Sequence, residues 1–201
     1  MAILEADRSL VLVIDMQGRL AHMVHRSELV LAATRRLLAV ADLFEVPVLV
    51  TEQYPKGLGG TEPELLEVIE ALSVEFRIVE KASFSCCGAE EFEQAFEELM
   101  PSVPMDRRQI VVAGIETHVC VVQTVLGLLE RGCEVQVCWE CVSGRGAEYR
   151  RRALERMQQA GASMTNHESA AFEWARDKNH PRFREVVGLF RDGQIGGDES
   201  V

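Results

Sequence analysis

The sequence predicts an α/β fold in which a mostly parallel, six-stranded sheet carries helices on both faces. Short apolar runs alternate with amphipathic stretches along most of the chain. The runs are continuous rather than alternating, which is typical of strands that are buried on both faces. Strand–helix alternation is the order that parallel strands joined by crossover helices require.

The predicted strands share a short run of apolar residues rich in Val and Ile. They cover residues 10–14, 46–50, 77–79, 110–113, 135–142 and 162–164, of which 77–79 and 162–164 are the weaker runs. In such a sheet the ligand crevice lies beyond the carboxyl ends of the strands. The residues that close the strands are therefore the candidate site residues.

The predicted helices place apolar residues three or four positions apart, on one face. They cover residues 28–45, 62–70, 89–99, 118–130, 146–160, 167–176 and 181–190. Thr61 and Glu64 have the spacing of a capping box at the start of the second helix. Gly132 and Gly161 follow two of the helices, as helix C-termini prefer.

Length and composition predict one globular domain over residues 1–201, with a flexible tail at 191–201. Hydrophobic residues make up 47% and charged residues 26% of the chain, close to the globular average. The net charge of −11 argues against sequence-independent binding to nucleic acid, which needs cationic side chains. No apolar run reaches the ~20 residues of a membrane span, and no basic signal sequence begins the chain. We therefore expect a cytoplasmic protein with reduced thiols and no nucleic-acid or membrane partner.

Two charged residues close predicted strands. Asp15 follows the first apolar run, where it fits either a crevice or a helix cap. Lys81 follows the third run and, taken alone, also fits a solvated lysine. Both would lie at the same edge of a parallel sheet.

Cys120 follows a strand and a glycine turn, at the start of a predicted helix. The helix dipole and the free N–H groups there are expected to lower the thiol pKa, and a nearby lysine would act in the same direction. The alternative is a small buried core residue. Together with Asp15 and Lys81, the thiol would have the proton acceptor and the cation that a sulfur nucleophile needs.

Three segments resemble the motifs of the isochorismatase-like cysteine hydrolases. They are residues 14–17 (Ile-Asp-Met-Gln), 81–84 (Lys-Ala-Ser-Phe) and 114–120 (Gly-Ile-Glu-Thr-His-Val-Cys), in the family's order and spacing. Residues 51–59 and 180–183 resemble the isochorismatase domain-containing subgroup. The resemblance covers about residues 8–190 and implies a Rossmann-like, three-layer αβα sandwich.

The resemblance also implies an Asp–Lys–Cys triad. Carried over to this chain, Cys120 is the nucleophile, Asp15 the general base and Lys81 the cation that stabilises the thiolate. A non-proline cis peptide would join Ile115 and Glu116. The backbone amides of Glu116 and Cys120 would then form the oxyanion hole.

The implied activity is metal-independent hydrolysis of a small amide or related carbonyl compound through a thioester. Two alternatives stay open: a vinyl ether hydrolase of the isochorismatase type, and a non-catalytic scaffold that keeps the fold. A redox-active thiol protein would need a resolving partner for Cys120, and no C-x-x-C motif surrounds it.

Several residues in or near these motifs are candidates for substrate binding. They are Gln17, Tyr54, Phe84, Thr117 and His118. Small-molecule pockets are lined mostly by apolar groups, which favours the two aromatic residues as walls. His118 fits a surface or capping position equally well.

We expect no metal and no cofactor. Nicotinamidase-like members of the family carry an Asp-x-His pair and a further His, whereas residues 51–55 here contain no His. His22 and His25 lie elsewhere, without such a pair. Nicotinamide is accordingly a less suitable substrate.

The expected partners are a small-molecule substrate and further copies of the chain. The resemblance implies the homo-oligomer, since members of the family usually oligomerise. Phe172, Trp174 and Phe183 fit either the core or such a subunit contact.

Three of the other cysteines are expected to be structural. Cys133, Cys138 and Cys141 have the spacing of plant-type iron–sulfur ligands. We expect Cys138 and Cys141 to point to opposite faces of one strand, so that the three cannot converge. Cys86 and Cys87 are adjacent, a poor geometry for a disulfide, and are expected near the site mouth.

Overall fold

A computed structural model describes residues 3–191 of the chain. All but one residue of the predicted tail at 191–201 lies outside the described residues. The described chain forms a six-stranded, all-parallel sheet with helices on both faces, which confirms the predicted fold class.

Each predicted strand has a counterpart in the sheet. The strands are β1 (Ser9–Ile14), β2 (Val48–Gln53), β3 (Phe76–Lys81), β4 (Gln109–Ile115), β5 (Glu134–Ser143) and β6 (Ser163–Thr165). Their order across the sheet is β3-β2-β1-β4-β5-β6. The chain moves outward from β1 to β3 and then returns to the other side of β1 with β4. This reversal places the crevice at the carboxyl ends of β1 and β4.

The helices that periodicity predicts are present, together with two short ones that it missed. The helices are α1 (Gly18–Met23), α2 (Ser27–Leu43), α3 (Pro55–Leu58), α4 (Pro63–Glu70), α5 (Glu90–Leu99), α6 (Val122–Glu130), α7 (Ala147–Gln159), α8 (His167–Ala175) and α9 (Phe183–Arg191). The missed helices, α1 and α3, have 6 and 4 residues, too few to show a period. Within residues 3–191, no helix is long and apolar enough to cross a bilayer.

The ends of several helices follow local chemistry. Gly132 and Gly161 have φ angles of 89° and 113° just after α6 and α7, which confirms the predicted C-termini. Short 3₁₀ turns precede β1 and β4. The predicted helix at 118–130 is instead a π-helical turn, Thr117–Val121, followed by α6.

The predicted capping box at α4 is wrong. Glu62 caps the helix, because its carboxylate accepts a hydrogen bond from the N–H of Leu65 at 2.9 Å. Thr61 does not cap the helix, because its N–H and hydroxyl donate to the Glu52 carboxylate at 2.6 and 2.7 Å. The carboxylate at the end of β2 thus ties the chain before α4 to the sheet.

Buried apolar side chains fill a core on each side of the sheet. Along β1, Val11 and Val13 face one core while Leu10, Leu12 and Ile14 face the other. Helices α2, α4 and α8 cover the first core, and α5, α6 and α7 cover the second. Burial on both faces explains why the strands read as continuous apolar runs.

The aromatic residues near the C-terminus divide between core and surface. Trp174 is buried in the first core and its indole N–H donates to the Ser9 hydroxyl at 3.0 Å. Phe172 is 40% exposed and packs edge-on against Phe183. Trp174 is therefore a core residue, and Phe172 keeps a free edge.

The expected divergence of Cys138 and Cys141 is also wrong. The register of β4 with β5 passes from Val112–Val137 to Gly114–Val142, so β5 carries extra residues at this point. This irregularity turns both thiols into the first core, with their sulfur atoms 3.1 Å apart. Cys133 lies in the second core, so the three thiols do not converge on one cluster.

Candidate active site

Asp15 stands directly after β1 at the carboxyl edge of the sheet. Its side chain is 1% exposed. The carboxylate accepts hydrogen bonds from the Thr51 hydroxyl at 2.8 Å and from the Lys81 ammonium at 2.7 Å. Gln17, not Asp15, occupies the N-cap position of α1, so the helix-cap alternative does not hold.

Lys81 ends β3 with its side chain fully buried. Besides Asp15, its ammonium donates to Oε1 of Gln53 at 2.9 Å and to the carbonyl groups of Ser83 and Phe84 at 3.1 and 3.3 Å. A solvated lysine would not be enclosed by four oxygen atoms. This enclosure holds a charged ammonium beside the carboxylate.

Cys120 lies in the π-helical turn between β4 and α6 and is 7% exposed. Its thiol is hydrogen-bonded to the carboxylate of Asp15. The acid, the lysine and the thiol that the sequence places at separate strand ends therefore meet, with Asp15 between the other two.

The expected lowering of the Cys120 pKa is wrong. Burial, the largest cause, raises the pKa of the thiol above its usual value, and the charge of Asp15 raises it further. Lys81 acts in the opposite direction, but its charge is already compensated by Asp15. The resting site therefore holds a neutral thiol beside a carboxylate–ammonium pair.

The pKa of Asp15 is raised as well. Burial is the largest cause, and it outweighs the charge and hydrogen bond of Lys81 and the hydrogen bonds from Cys120 and Thr51, all of which favour the ionised carboxylate. A raised pKa makes the carboxylate a stronger base than that of an exposed aspartate, which suits proton abstraction.

The loop between β4 and the π-helical turn is closely packed. The peptide bond between Ile115 and Glu116 is cis, at the position that the family motif implies. Gly114 has a φ of 140°, and a Cβ atom there would lie 2.4 Å from the carbonyl oxygen of Ile14. Only glycine allows this approach of β4 to β1. The Glu116 carboxylate is held on the other side by Arg145 at 2.9 Å.

Gln17 is fully buried below the loops that surround the site. Its side-chain amide donates to the carbonyl groups of Gln53 and Gly59 at 3.2 and 2.7 Å, and it accepts from the N–H of Gln53 at 2.6 Å. Both of its N–H groups are thus engaged in joining the end of β2 to the loop after α3. The amide positions these loops around Asp15.

Two exposed aromatic residues are attached to the Lys81 end of the site. Tyr54 is 61% exposed and its N–H donates to the Lys81 carbonyl at 3.0 Å. Phe84 is 55% exposed, and its carbonyl accepts from the Lys81 ammonium. Their backbones are fixed while their rings face solvent, as walls of a binding site would.

Thr117 and His118 lie on the other side of the site. Within the described chain, the buried hydroxyl of Thr117 and Nδ1 of His118 have no hydrogen-bond partner. The His118 ring stacks on Tyr149, with ring centres 4.7 Å apart. Buried polar atoms without partners are rare, so these two atoms are unusual among the described residues.

Sequence reasoning missed Thr51 and Gln53, and it expected Cys86 near the site mouth without a contact to the site. Thr51 and Gln53 lie on β2, and they support Asp15 and Lys81 from between β1 and β3. The sheet order is the signal that could have found them, since β2 separates the two strands that carry the acid and the lysine. Cys86 is fully buried, with its sulfur 3.8 Å from the Thr51 hydroxyl.

Among residues 3–191, no group of three or more His, Cys, Asp or Glu side chains is arranged to hold a metal ion. His22 is half-exposed and lies 3.8 Å from Glu62.

Comparison with known proteins gives one consistent result. A family model described as the isochorismatase domain matches residues 9–169. Isochorismatase domain-containing protein 2 of Xenopus laevis is 38% identical over 187 residues, which cover 92% of this chain and 85% of that protein.

Solved structures agree with the family match. The MAR1 ribonuclease of Caenorhabditis elegans superposes with a TM-score of 0.84 at 33% identity, over 100% of both chains. YcaC of Pseudomonas aeruginosa, solved with hexane-2,5-diol and covalent acrylamide, has a TM-score of 0.79 at 26% identity, over 92% of this chain and 90% of that one.

Proposed function

The chain belongs to the isochorismatase family, and from this premise we propose that it is a metal-independent cysteine hydrolase acting on a small amide or a related carbonyl compound. One observation carries the proposal: the buried carboxylate of Asp15 contacts both the Lys81 ammonium and the Cys120 thiol. In this proposal the three side chains form the catalytic group.

The first half of the reaction forms a thioester. Asp15 removes the proton of the Cys120 thiol as the sulfur attacks the substrate carbonyl. The backbone amides of Glu116 and Cys120 donate to the oxyanion that develops, a contribution worth roughly 3–4 kcal/mol for each donor. The Lys81 ammonium offsets the negative charge near the sulfur.

The second half hydrolyses the thioester. It begins once the protonated Asp15 has given its proton to the leaving amine, because breaking the C–N bond completes the thioester. The carboxylate then takes a proton from a water molecule, and the resulting hydroxide attacks the thioester carbon. Release of the carboxylic acid restores the thiol with the proton that Asp15 holds.

The charges around the site favour a neutral substrate. The Lys81 ammonium is enclosed by four oxygen atoms, and Arg145 is paired with Glu116. Neither is free to bind a carboxylate of the substrate. A vinyl ether of the isochorismate type carries carboxylates, so it is the second candidate, and amide hydrolysis is the first.

Covalent acrylamide in the YcaC structure supports a reactive nucleophile in a relative of this fold. We expect the same compound to alkylate Cys120 here. A scaffold protein would not need a buried acid–lysine–thiol group, because burying charges costs free energy that apolar residues would not cost.

RNA cleavage is suggested by the MAR1 ribonuclease relative. The net charge of −11 opposes binding to a polyanion, and the one buried ammonium of the candidate site already has oxygen partners. We therefore expect no cleavage of RNA, measured by gel electrophoresis at low salt.

An activity screen tests the proposal. Small neutral amides, carbamates and vinyl ethers are offered to the wild-type protein, to Cys120→Ala and to Cys87→Ala as the matched thiol control. We expect hydrolysis of at least one amide by the wild type and by Cys87→Ala, with loss of about 10³-fold or more in Cys120→Ala. Turnover that survives in Cys120→Ala, or that is confined to vinyl ethers, would overturn it.

Metal independence has its own test in the same assay. Because the described residues offer no three-ligand site, we expect unchanged activity after dialysis against a chelator. Activity that is lost with the chelator and restored by zinc or iron would show that a metal takes part.

A further inference from the structure

Cys86 is a second thiol beside the candidate active site, and the proposed hydrolysis does not use it. We propose that Cys86 is the resolving thiol of Cys120: hydrogen peroxide oxidises Cys120 to a sulfenic acid, and Cys86 then closes a disulfide with it. The proposal rests on the proposed reactivity of Cys120 but does not depend on any hydrolysed substrate.

One polar bridge holds Cys86 against the turn that carries Cys120. The N–H of Cys86 donates to the hydroxyl of Thr124 at 3.0 Å, and that hydroxyl donates to the carbonyl of Cys120 at 2.8 Å. Both cysteine side chains pack in the same core, on one side of the sheet. The two residues are therefore neighbours, although 34 positions separate them in the sequence.

A second bridge joins the two thiols through the base. The Cys86 thiol donates to the Thr51 hydroxyl at 3.8 Å, a long contact typical of sulfur, and Thr51 donates to Asp15 at 2.8 Å. The same carboxylate is hydrogen-bonded to the Cys120 thiol. Asp15 is thus placed to take a proton from either sulfur, directly from Cys120 and through Thr51 from Cys86.

This relay is needed because Cys86 does not ionise by itself. Burial raises the pKa of its thiol to about 12, so the resting group is protonated. Attack on a sulfenic acid requires the thiolate. Transfer of the proton through the Thr51 hydroxyl to Asp15 supplies that form at the moment of attack.

The chemistry balances in two steps. In the first, Asp15 takes the Cys120 proton, the sulfur bonds to one peroxide oxygen as the O–O bond breaks, and the other oxygen leaves as water with that proton. In the second, the Cys86 proton reaches Asp15 through Thr51 and the Cys86 sulfur attacks the sulfenic sulfur. The hydroxide released takes the proton from Asp15, which gives one disulfide and a second water.

Cys86 differs from the remaining thiols in its position relative to Cys120. Cys87 is half-buried and contacts the carbonyl of Thr124, and the charged groups that act on it are Arg131 and Glu93 rather than Asp15. Cys138 and Cys141 lie 3.1 Å apart, but in the core on the opposite side of the sheet. They form a competing pair in any oxidation, so the test must locate the bond.

Peptide mapping locates it, because trypsin separates the cysteines. Cleavage after Lys and Arg puts Cys86 and Cys87 on residues 82–107, Cys120 on 109–131, and the remaining cysteines on 132–145. The folded protein is treated with hydrogen peroxide, blocked with an alkylating reagent and digested without reduction. We expect peptide 82–107 linked to peptide 109–131 in the wild type and in Cys87→Ser, and release of both by dithiothreitol.

Two variants sharpen the result. Cys86→Ser should lose the cross-link, and its Cys120 should progress to the sulfinic and sulfonic acids, which dithiothreitol does not reverse. Thr51→Val should slow the cross-link without abolishing it, because it removes the relay and keeps both thiols.

Three results would overturn the proposal. They are a wild-type Cys120 that over-oxidises as it does in Cys86→Ser, a cross-link that disappears in Cys87→Ser, or a Cys120 that peroxide leaves reduced. The second and third need only the wild type and Cys87→Ser, which alters a partly buried residue rather than the fully buried Cys86. The readout is a peptide mass and does not depend on hydrolysis. A cross-linked protein without amide turnover would therefore contradict only the hydrolase proposal, and turnover without the cross-link would contradict only the proposed role of Cys86.

Discussion

At the scale of the residue, the character of the site depends on Asp15. Burial raises the pKa of this carboxyl, whereas Lys81, Thr51 and Cys120 all stabilise its charge. The balance leaves a base that is stronger than an exposed aspartate and still able to ionise beside a lysine. The reactivity of Cys120 depends on Asp15, because the pKa of the thiol is raised and the thiol ionises only by giving its proton to that carboxylate.

This dependence predicts the pH profile of Cys120. Reaction needs an ionised Asp15, so the rate of Cys120 alkylation by acrylamide should rise with pH through the Asp15 pKa, which lies above the usual range. Thr51→Val removes a bond that favours the ionised carboxylate, so the rise should move to higher pH. Thr61→Val, which alters a threonine bonded to Glu52, should leave it in place. A Thr51→Val profile that coincides with the wild type would contradict the assignment.

A second residue-scale prediction concerns stability. Lys81→Met leaves a buried carboxylate without its counter-ion and should lower the free energy of unfolding by about 3–5 kcal/mol at pH 7. The loss should shrink as pH falls and Asp15 becomes protonated, since the neutral acid needs no counter-ion. Arg35→Ala breaks an exposed pair with Glu64 and should cost at most ~1 kcal/mol. Urea unfolding at several pH values measures both, and equal losses for the two variants would argue against a buried ion pair.

At the scale of the element, apolar runs predicted every strand. The strands are buried on both faces, so their residues are apolar at successive positions rather than at alternate ones. Periodicity found the long helices and missed α1 and α3, whose few residues carry no period. The irregularity in β5 could not be predicted for another reason. It depends on the register with β4, and the sequence of one strand does not determine its register with a neighbouring strand. The wrong orientation expected for Cys138 and Cys141 follows from that.

The contact of β4 with β1 gives an element-scale prediction. Gly114→Ala would place a Cβ 2.4 Å from the backbone of Ile14 at a φ of 140°, and should destabilise the protein by about 1–3 kcal/mol or more. Gly188→Ala is the matched control, since α9 has open space there. It should stabilise by about 0.5–1 kcal/mol. Thermal unfolding of both variants checks this, and a neutral Gly114→Ala would mean that the two strands can separate without cost.

At the scale of the whole molecule, one sheet serves both cores and holds the site at its carboxyl edge. The sequence was enough to predict this architecture and to bring Asp15, Lys81 and Cys120 to one edge, because each closes a parallel strand. It was not enough to predict that the thiol rests neutral, since that depends on how deeply Cys120 is buried and on the Asp15–Lys81 pair. It placed Cys86 near the site mouth but could not show its full burial or its contact with Thr51, because both depend on how the loop after β3 folds back.

A shared sheet predicts cooperative unfolding of the one proposed domain. Fluorescence reports on Trp174 in the first core and on the more exposed Trp139 of β5, and far-ultraviolet circular dichroism reports on the helices of both faces. We expect the two signals to change together in urea, with one midpoint. Separate midpoints would mean that the two faces fold as independent units.

The most direct test of the central claim is the site of covalent labelling in the folded protein. The wild type, Asp15→Asn and Cys87→Ser are treated with acrylamide at pH 7, digested with trypsin and analysed by mass spectrometry. Our account predicts rapid labelling of peptide 109–131 at Cys120 in the wild type and in Cys87→Ser, and a rate lower by about 10²-fold or more in Asp15→Asn. Labelling of another cysteine first, or an unchanged rate in Asp15→Asn, would contradict it.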